Sequence, residues 1–278
     1  MQKRDAVQWY PGHMAKAGRQ IGEKIKHIDI LIEVLDARVP VASRNPDIHK
    51  FCEHRQHILL LNKSDLADPV QNKKWMTALK KREEADAVML FTAFNAPMKK
   101  ALVSEIRKQN IKNRAQVKCL LCGIPNVGKS AIINTMIGKK KAQTGNRPGV
   151  TKGQQWLQTE DNILFLDTPG ILWPKFDDPT IGNRLAWIGS IKDTIFDREN
   201  MAGDLMQFLV AHYPERVEER YDISLQGKQV FEVFDAIAQK KGLLMKGGLY
   251  DYGRTSDMIL KDFKNGQLGR ITIDGCPE

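Results

Sequence analysis

Residues 123–130, Gly-Ile-Pro-Asn-Val-Gly-Lys-Ser, match G-x-x-x-x-G-K-[ST] between an apolar run and a stretch of helical periodicity. No other feature limits the fold as much. The glycines let successive backbone N–H groups turn toward a phosphate, and the following helix N-terminus adds partial positive charge. Such a loop needs a strand before it and a helix behind it; residues 117–122 and 130–137 supply them. Asn126, Val127, Gly128, Lys129, Ser130 and Ala131 are therefore expected around the phosphates. Lys129 would reach the β- and γ-phosphates, and Ser130 would ligate Mg²⁺.

The flanking pattern agrees with that demand. Residues 30–35, 58–61, 88–91 and 117–122 read as strands, the first an almost unbroken apolar run suited to burial on both faces. Residues 14–27, 69–82, 98–109 and 130–137 read as helices. Residues 155–158 and 163–166 read as an antiparallel pair turning at 160–162. This alternation predicts a doubly wound α/β domain. Beyond Pro174 strand signals nearly vanish, and 181–193, 200–213, 229–241 and 255–264 have helical periodicity. The expected organisation is an α/β domain over 1–175, a linker over 176–183 and a small all-helical domain over 184–278.

Three further motifs sit at strand ends. Asn62-Lys63-Ser64-Asp65 matches the guanine reader N-K-x-D. Asp65 can accept from both N1–H and the exocyclic amine of guanine, donors that adenine does not offer in that arrangement. Thr92 and Ala93 stand where GTPases carry a short loop backing the base. Asp167-Thr-Pro-Gly170 is a D-x-x-G whose carboxylate can hold Mg²⁺ and whose Gly170 N–H can meet the γ-phosphate. Thr151 is the natural second Mg²⁺ ligand, with a simple turn threonine as its alternative. Ordinary GTPases place the phosphate loop first and the base reader later. Here the base reader comes first, so the fold expected is a circularly permuted P-loop GTPase domain. Chain ends at the surface make such a permutation sterically feasible.

The position after D-x-x-G, usually a water-orienting glutamine, is Ile171. The hydrolytic group must lie elsewhere. His13, following Pro11 and Gly12, is one candidate, and a solvent-exposed or capping histidine is its alternative. Gln154, Gln155, Arg38 and Arg44 are rivals. Asn126 can either ligate a monovalent cation beside the phosphates or simply form the turn.

Composition narrows the partners. The chain has 278 residues, 42% of them hydrophobic, and a net charge of +10, which suits either an ordinary basic soluble enzyme or one with a polyanionic partner, nucleic acid before a membrane. No apolar run is long enough to span a bilayer and the first residues lack a secretory signal, so a cytoplasmic location is expected. Cys119 and Cys122 have half a zinc-site spacing, but on a strand they point to opposite faces.

These segments, with Gln8-Trp-Tyr-Pro-Gly-His-Met-Ala-Lys-Ala17, Asp36-Ala-Arg38, Gln143-Thr-Gly-Asn-Arg-Pro-Gly-Val-Thr151 and Asp167-Thr-Pro-Gly-Ile-Leu-Trp-Pro-Lys175, resemble the bacterial ribosome biogenesis GTPase A family along the whole chain. The resemblance implies a GTP-hydrolysing factor acting in late maturation of the large ribosomal subunit. It implies hydrolysis stimulated by the particle, a potassium-assisted phosphate loop at Asn126 and catalysis by His13. It also implies a helical C-terminal domain contacting rRNA, and the factor is expected to be monomeric off the ribosome. Ala131 and Phe94 depart from the family pattern. Two other classes remain open at this point: a GTP-dependent RNA-binding module with little hydrolysis, and an RNA-modifying or metabolic enzyme that uses GTP as a switch.

Overall fold

The computed structural model describes residues 25–46, 48, 55–82, 85–138, 155–168, 178–191 and 197–276. Its strands are β1 (Ile30–Asp36), β2 (Gln56–Asn62), β3 (Ala87–Leu90), β4 (Val117–Cys122), β5 (Gln155–Gln158) and β6 (Ile163–Asp167). Three helices lie between them: α1 (Pro69–Lys81), α2 (Ala96–Lys108) and α3 (Lys129–Ile137). Five follow: α4 (Pro179–Trp187), α5 (Arg198–His212), α6 (Pro214–Tyr221), α7 (Val230–Lys241) and α8 (Tyr252–Lys264). Helix starts follow local chemistry. Asp68 accepts from the N–H groups of Val70 and Gln71 ahead of α1, and Asn95 accepts from Met98 ahead of α2.

The six strands form one sheet in the order β3-β2-β1-β4-β6-β5. All neighbours are parallel except β5 and β6. Every residue of β1 is buried, as its apolar run requires. Ile30, Ile32 and Val34 pack in the core that holds α2, α3 and the C-terminal helices, whereas Leu35 packs with Trp75 and Leu79 of α1. Cys119 and Cys122 lie in the cores of opposite faces, as their spacing on a strand dictates. The chain builds outward from β1 to β2 and β3, then returns to place β4 on the other side of β1. The reversal opens a crevice between β1 and β4 at the carboxyl ends of the strands, where open α/β sheets bind ligands.

Several elements differ from the sequence reading; the helix expected over 181–193 ends at Trp187, and that expected from 255 begins at Tyr252. Helix α4 begins at Pro179, within the segment expected to be a linker, because Asp178 caps it through Thr180 N–H. Helix α6 was not expected; its short buried stripe is only Val217 and Tyr221, four residues apart. The expected helix over 14–27 lies outside the described residues except for a 3-10 turn, Ile25–His27. Among the described residues no helix is long and apolar enough to cross a membrane.

The helical half shares one core with the sheet: Leu185, Met201, Phe263, Ile271 and Ile273 belong with Val34, Val39 and Ala42. After α8 the chain runs back along the sheet's carboxyl edge. Ile271 N–H donates to Leu66 O at 3.0 Å and Ile273 N–H to Arg38 O at 2.7 Å. The buried Asp274 accepts from Val41 and Ala42 N–H and pairs with Arg184.

Candidate functional site

The phosphate loop leaves β4 at Gly123. A side chain there would place its Cβ 2.5 Å from Val34 O, so only glycine lets the loop cross β1 this closely. Gly128 has φ +104°, and a Cβ on it would lie 2.2 Å from Asn62 Nδ2. The motif's two glycines are thus required by the strands they cross as well as by a phosphate.

Lys129 opens α3 and is 6% exposed. Its ammonium donates to Gly123 O at 2.9 Å and to Ile124 O at 2.7 Å. Burial lowers its pKa to about 8 against the opposing pull of Asp167. An anionic phosphate at the loop would favour the charged form further.

The expected base reader meets the expected phosphate loop directly. Asn62 Nδ2 donates to Val127 O at 2.8 Å, and Asn62 Oδ1 is buried without a hydrogen-bond partner. Lys63 has φ +58° and donates to Asn126 O and to Asp36 Oδ2, both at 2.8 Å. Asp65 is exposed at the mouth, and its Oδ1 accepts from Thr92 Oγ1 at 3.2 Å. Thr92 Oγ1 also lies 3.0 Å from Ser64 Oγ. Ala93 is half-buried beside it, and Phe94 is exposed with its N–H on Thr135 Oγ1 of α3. The structure therefore brings Asn62, Lys63, Asp65, Thr92, Ala93 and residues 126–131 to one crevice.

The Mg²⁺ expectation can be tested on the donors present. Ser130 Oγ lies 3.3 Å from Asp167 Oδ2, and Asp167 Oδ1 is buried with no hydrogen-bond partner. Burial raises the Asp167 pKa, opposed by Lys129 and the Ser130 hydroxyl. A buried, under-coordinated hard oxygen beside a hydroxyl fits Mg²⁺, which would hold the carboxyl ionised and screen phosphate charge. His13, Thr151, Gln154, Gly170 and Ile171 lie outside the described residues, so their expected roles carry no geometry.

Arg38 does not serve as a phosphate-facing cation. It is 1% exposed and grips Asp36 twice, Nε to Oδ1 and Nη2 to Oδ2, each at 3.0 Å. Nη1 donates to Phe263 O and Lys264 O at the end of α8. Burial alone would push the Asp36 carboxyl up. Arg38 and Lys63 outweigh that and hold it well below the usual carboxylate range. With the folded pKa depressed, this stability is present above the ordinary carboxylate range and is lost as pH falls below it. Arg44 faces the buried Glu33 of β1 at 3.8 Å. The sequence signal for the cluster was Asp36-Ala-Arg38, but nothing local says that Lys63, 25 residues on from Arg38, shares the carboxylate.

Comparison with known proteins agrees with this geometry. Residues 118–238 match the model of a family described as 50S ribosome-binding GTPase. Ribosome biogenesis GTPase A of Priestia megaterium is 42% identical over 283 residues, covering 98% of this chain and 98% of its own. The Thermotoga maritima protein of the same name is 32% identical, covering 96% of this chain and 94% of its own. The crystal structure of GNP-bound YlqF from T. maritima superposes with a TM-score of 0.67 at 28% identity, over 95% of this chain and 99% of that one. The crevice and these end-to-end matches place the chain among enzymes that hydrolyse GTP in ribosome biogenesis: it belongs to the ribosome biogenesis GTPase A family.

Proposed function

We propose that the chain acts on the large ribosomal subunit late in its maturation and that the particle stimulates its GTP hydrolysis. The observation that carries this reading is the match of residues 118–238 to the 50S ribosome-binding GTPase family, which runs from the strand before the phosphate loop into α7. The net charge of +10 supports contact with rRNA phosphates. In this reading residues 1–175 are the GTPase unit, 176–183 the connection and 184–278 the helical unit that faces rRNA. The protein works as a monomer off the ribosome, in the cytoplasm.

Cosedimentation with large-subunit particles tests the proposal. Binding should be tighter with a non-hydrolysable GTP analogue than with GDP, and should weaken steeply with salt. Lys241→Glu with Lys246→Glu, both exposed in the helical half, should weaken it while leaving GDP affinity unchanged. Salt-sensitive binding that is identical in both nucleotide states would sink the switch. Truncation is the poorer probe, because Ile271 and Ile273 share a core with Val39 and Ala42.

At the site, Asn62, Lys63, Asp65, Thr92 and Ala93 hold the base, and Val127, Gly128, Lys129 and Ala131 line the phosphates. Ser130, Asp167 and Thr151 serve Mg²⁺, Gly170 senses the γ-phosphate and His13 orients the attacking water. Asn126 ligates K⁺. Its amide nitrogen donates to Gly189 O, so the ligating atom would be Oδ1. One single-turnover series on particles addresses both catalytic claims. His13→Ala should lower the rate roughly 10²- to 10⁴-fold with GTP affinity nearly unchanged, since a water-orienting group acts in the transition state. Hydrolysis should be faster in KCl than in NaCl, and Asn126→Ala should remove the difference. Lost affinity at an unchanged rate per bound nucleotide would make His13 structural, and equal rates in the two salts would remove K⁺.

A further inference from the structure

The turn that ends α4 touches the phosphate loop through two hydrogen bonds. Ser190 Oγ donates to Pro125 O at 2.7 Å, and Asn126 Nδ2 donates to Gly189 O at 2.6 Å. Ser190 is 1% exposed. The turn is held independently of the loop. Ser190 N–H donates to Leu185 O at 2.8 Å, Gly189 N–H donates to Ala186 O at 2.9 Å, and Leu185, Ile188 and Ile191 are buried in the shared core. Gly189 has φ +76°, and a Cβ there would lie 2.4 Å from the Lys264 side chain. The turn is thus wedged between the end of α8 and the phosphate loop.

This contact bears on the loop's shape. A trans peptide is planar, with its C=O and N–H on opposite sides. Fixing the Pro125 carbonyl on Ser190 therefore aims the Asn126 N–H away from the α4 turn and resists a peptide flip. A flipped peptide would exchange that N–H for a carbonyl, which repels phosphate oxygens. Asn126 also sits at φ +56°, a conformation that asparagine tolerates but that needs support. The Gly189 carbonyl supplies it by holding the side-chain amide.

We propose that Ser190 is a positioning residue for nucleotide binding: through Pro125 it holds the phosphate loop in its binding shape, and nucleotide occupancy is felt at the α4 turn through the same bond. The proposal rests on the reading of residues 123–130 as the phosphate loop. It makes the helical half part of the nucleotide site as well as the part that faces the particle.

Ser190→Ala should weaken GDP and GTP about equally, roughly 5- to 20-fold, the size of effect expected for one lost buried hydrogen bond. Ser190→Thr, which restores the hydroxyl, should recover most of the loss, whereas a role in stability alone would move the melting temperature without moving the affinity of the folded chain. In the wild-type protein, GDP should slow amide hydrogen exchange at residues 188–191, and in Ser190→Ala that slowing should disappear. A folded Ser190→Ala chain with GDP affinity within twofold of wild type would overturn the proposal. So would wild-type exchange at 188–191 that ignores GDP, a measurement that stands even if the variant folds poorly. Lys129→Ala is the separate control: retained GDP affinity there would sink the phosphate-loop reading itself and the proposal with it.

Discussion

With asparagine in place of Asp65, the chain should bind xanthosine triphosphate in preference to GTP. Asp65 stands in the turn that follows β2, with its carboxylate at the mouth of the crevice. Thr92 fixes one carboxylate oxygen, and Arg270 Nε holds the Asp65 carbonyl at 3.1 Å, so the group is set before any ligand arrives. Two acceptor oxygens suit the N1–H and amine of guanine. An amide offers one acceptor and one donor, and xanthine carries a carbonyl where guanine carries its amine. Hydrogen bonds to a charged group are worth about 1.5–3 kcal/mol each. Losing one, leaving the other neutral and setting the amide N–H against a guanine donor should cost GTP roughly 10²-fold in affinity. The change should stay local, because Asn62 still bonds Val127 O and the phosphate loop keeps its shape. Nucleotide titration decides the matter: unchanged GTP affinity would show that this loop does not read the base.

The motifs and most of the sheet were legible because their causes are local. An apolar run of strand length, an Asp-Pro helix start and a glycine before a lysine each carry their reason within a few residues. The parts that escaped have their reasons far away in sequence. Arg38 looked like a free cation near phosphates, yet its partners are Asp36 and the carbonyls of Phe263 and Lys264. The segment after α8 carries no strand or helix pattern. Its backbone groups are nonetheless satisfied by the loops that follow β1 and β2, at Arg38 and Leu66. Ser190 is an ordinary serine until α4 brings it under Pro125. Helix α6 was hidden because two buried residues in eight make too faint a stripe.

The permuted order gives these distant contacts a common geometry. The segment after D-x-x-G is joined covalently to the helical half, as the sequence requires. The structure adds non-covalent ties from that half to the base loop at Asp65 and Leu66, to the β1 loop at Arg38 and to the phosphate loop at Pro125. Coupling between sites is reciprocal: were a particle to engage the helical half as proposed, a nucleotide could answer from the crevice.

Lys129→Ala should abolish measurable hydrolysis and weaken triphosphate binding roughly 10²- to 10³-fold, in line with the loss of charge-assisted hydrogen bonds to phosphate in a shielded site. Lys129 has been taken out of water, and its three donors have only loop carbonyls and a nearby carboxylate to answer them. Burial opposes its charge, so the lysine costs stability in the empty protein, and phosphate oxygens would repay that cost only on binding. Two measurements follow from this imbalance. The melting temperature of the empty alanine variant should stay near or above that of the wild type. The rise in melting temperature that GDP produces in the wild type should shrink in the variant, and vanish at GDP concentrations below the variant's Kd, because stabilisation by a ligand scales with the logarithm of its concentration over Kd. A variant that melts far lower when empty, yet keeps the full rise with GDP, would mean that Lys129 does not grip the nucleotide and that residues 123–130 are not its phosphate loop. The removal of Lys129 also strips Asp167 of a positive charge that opposes the effect of its burial. Hydrolysis should therefore remain lost even where a high GTP concentration restores occupancy, since Ser130 and Asp167 would hold Mg²⁺ less well. Wild-type turnover at saturating GTP would refute that second step while leaving the first in place.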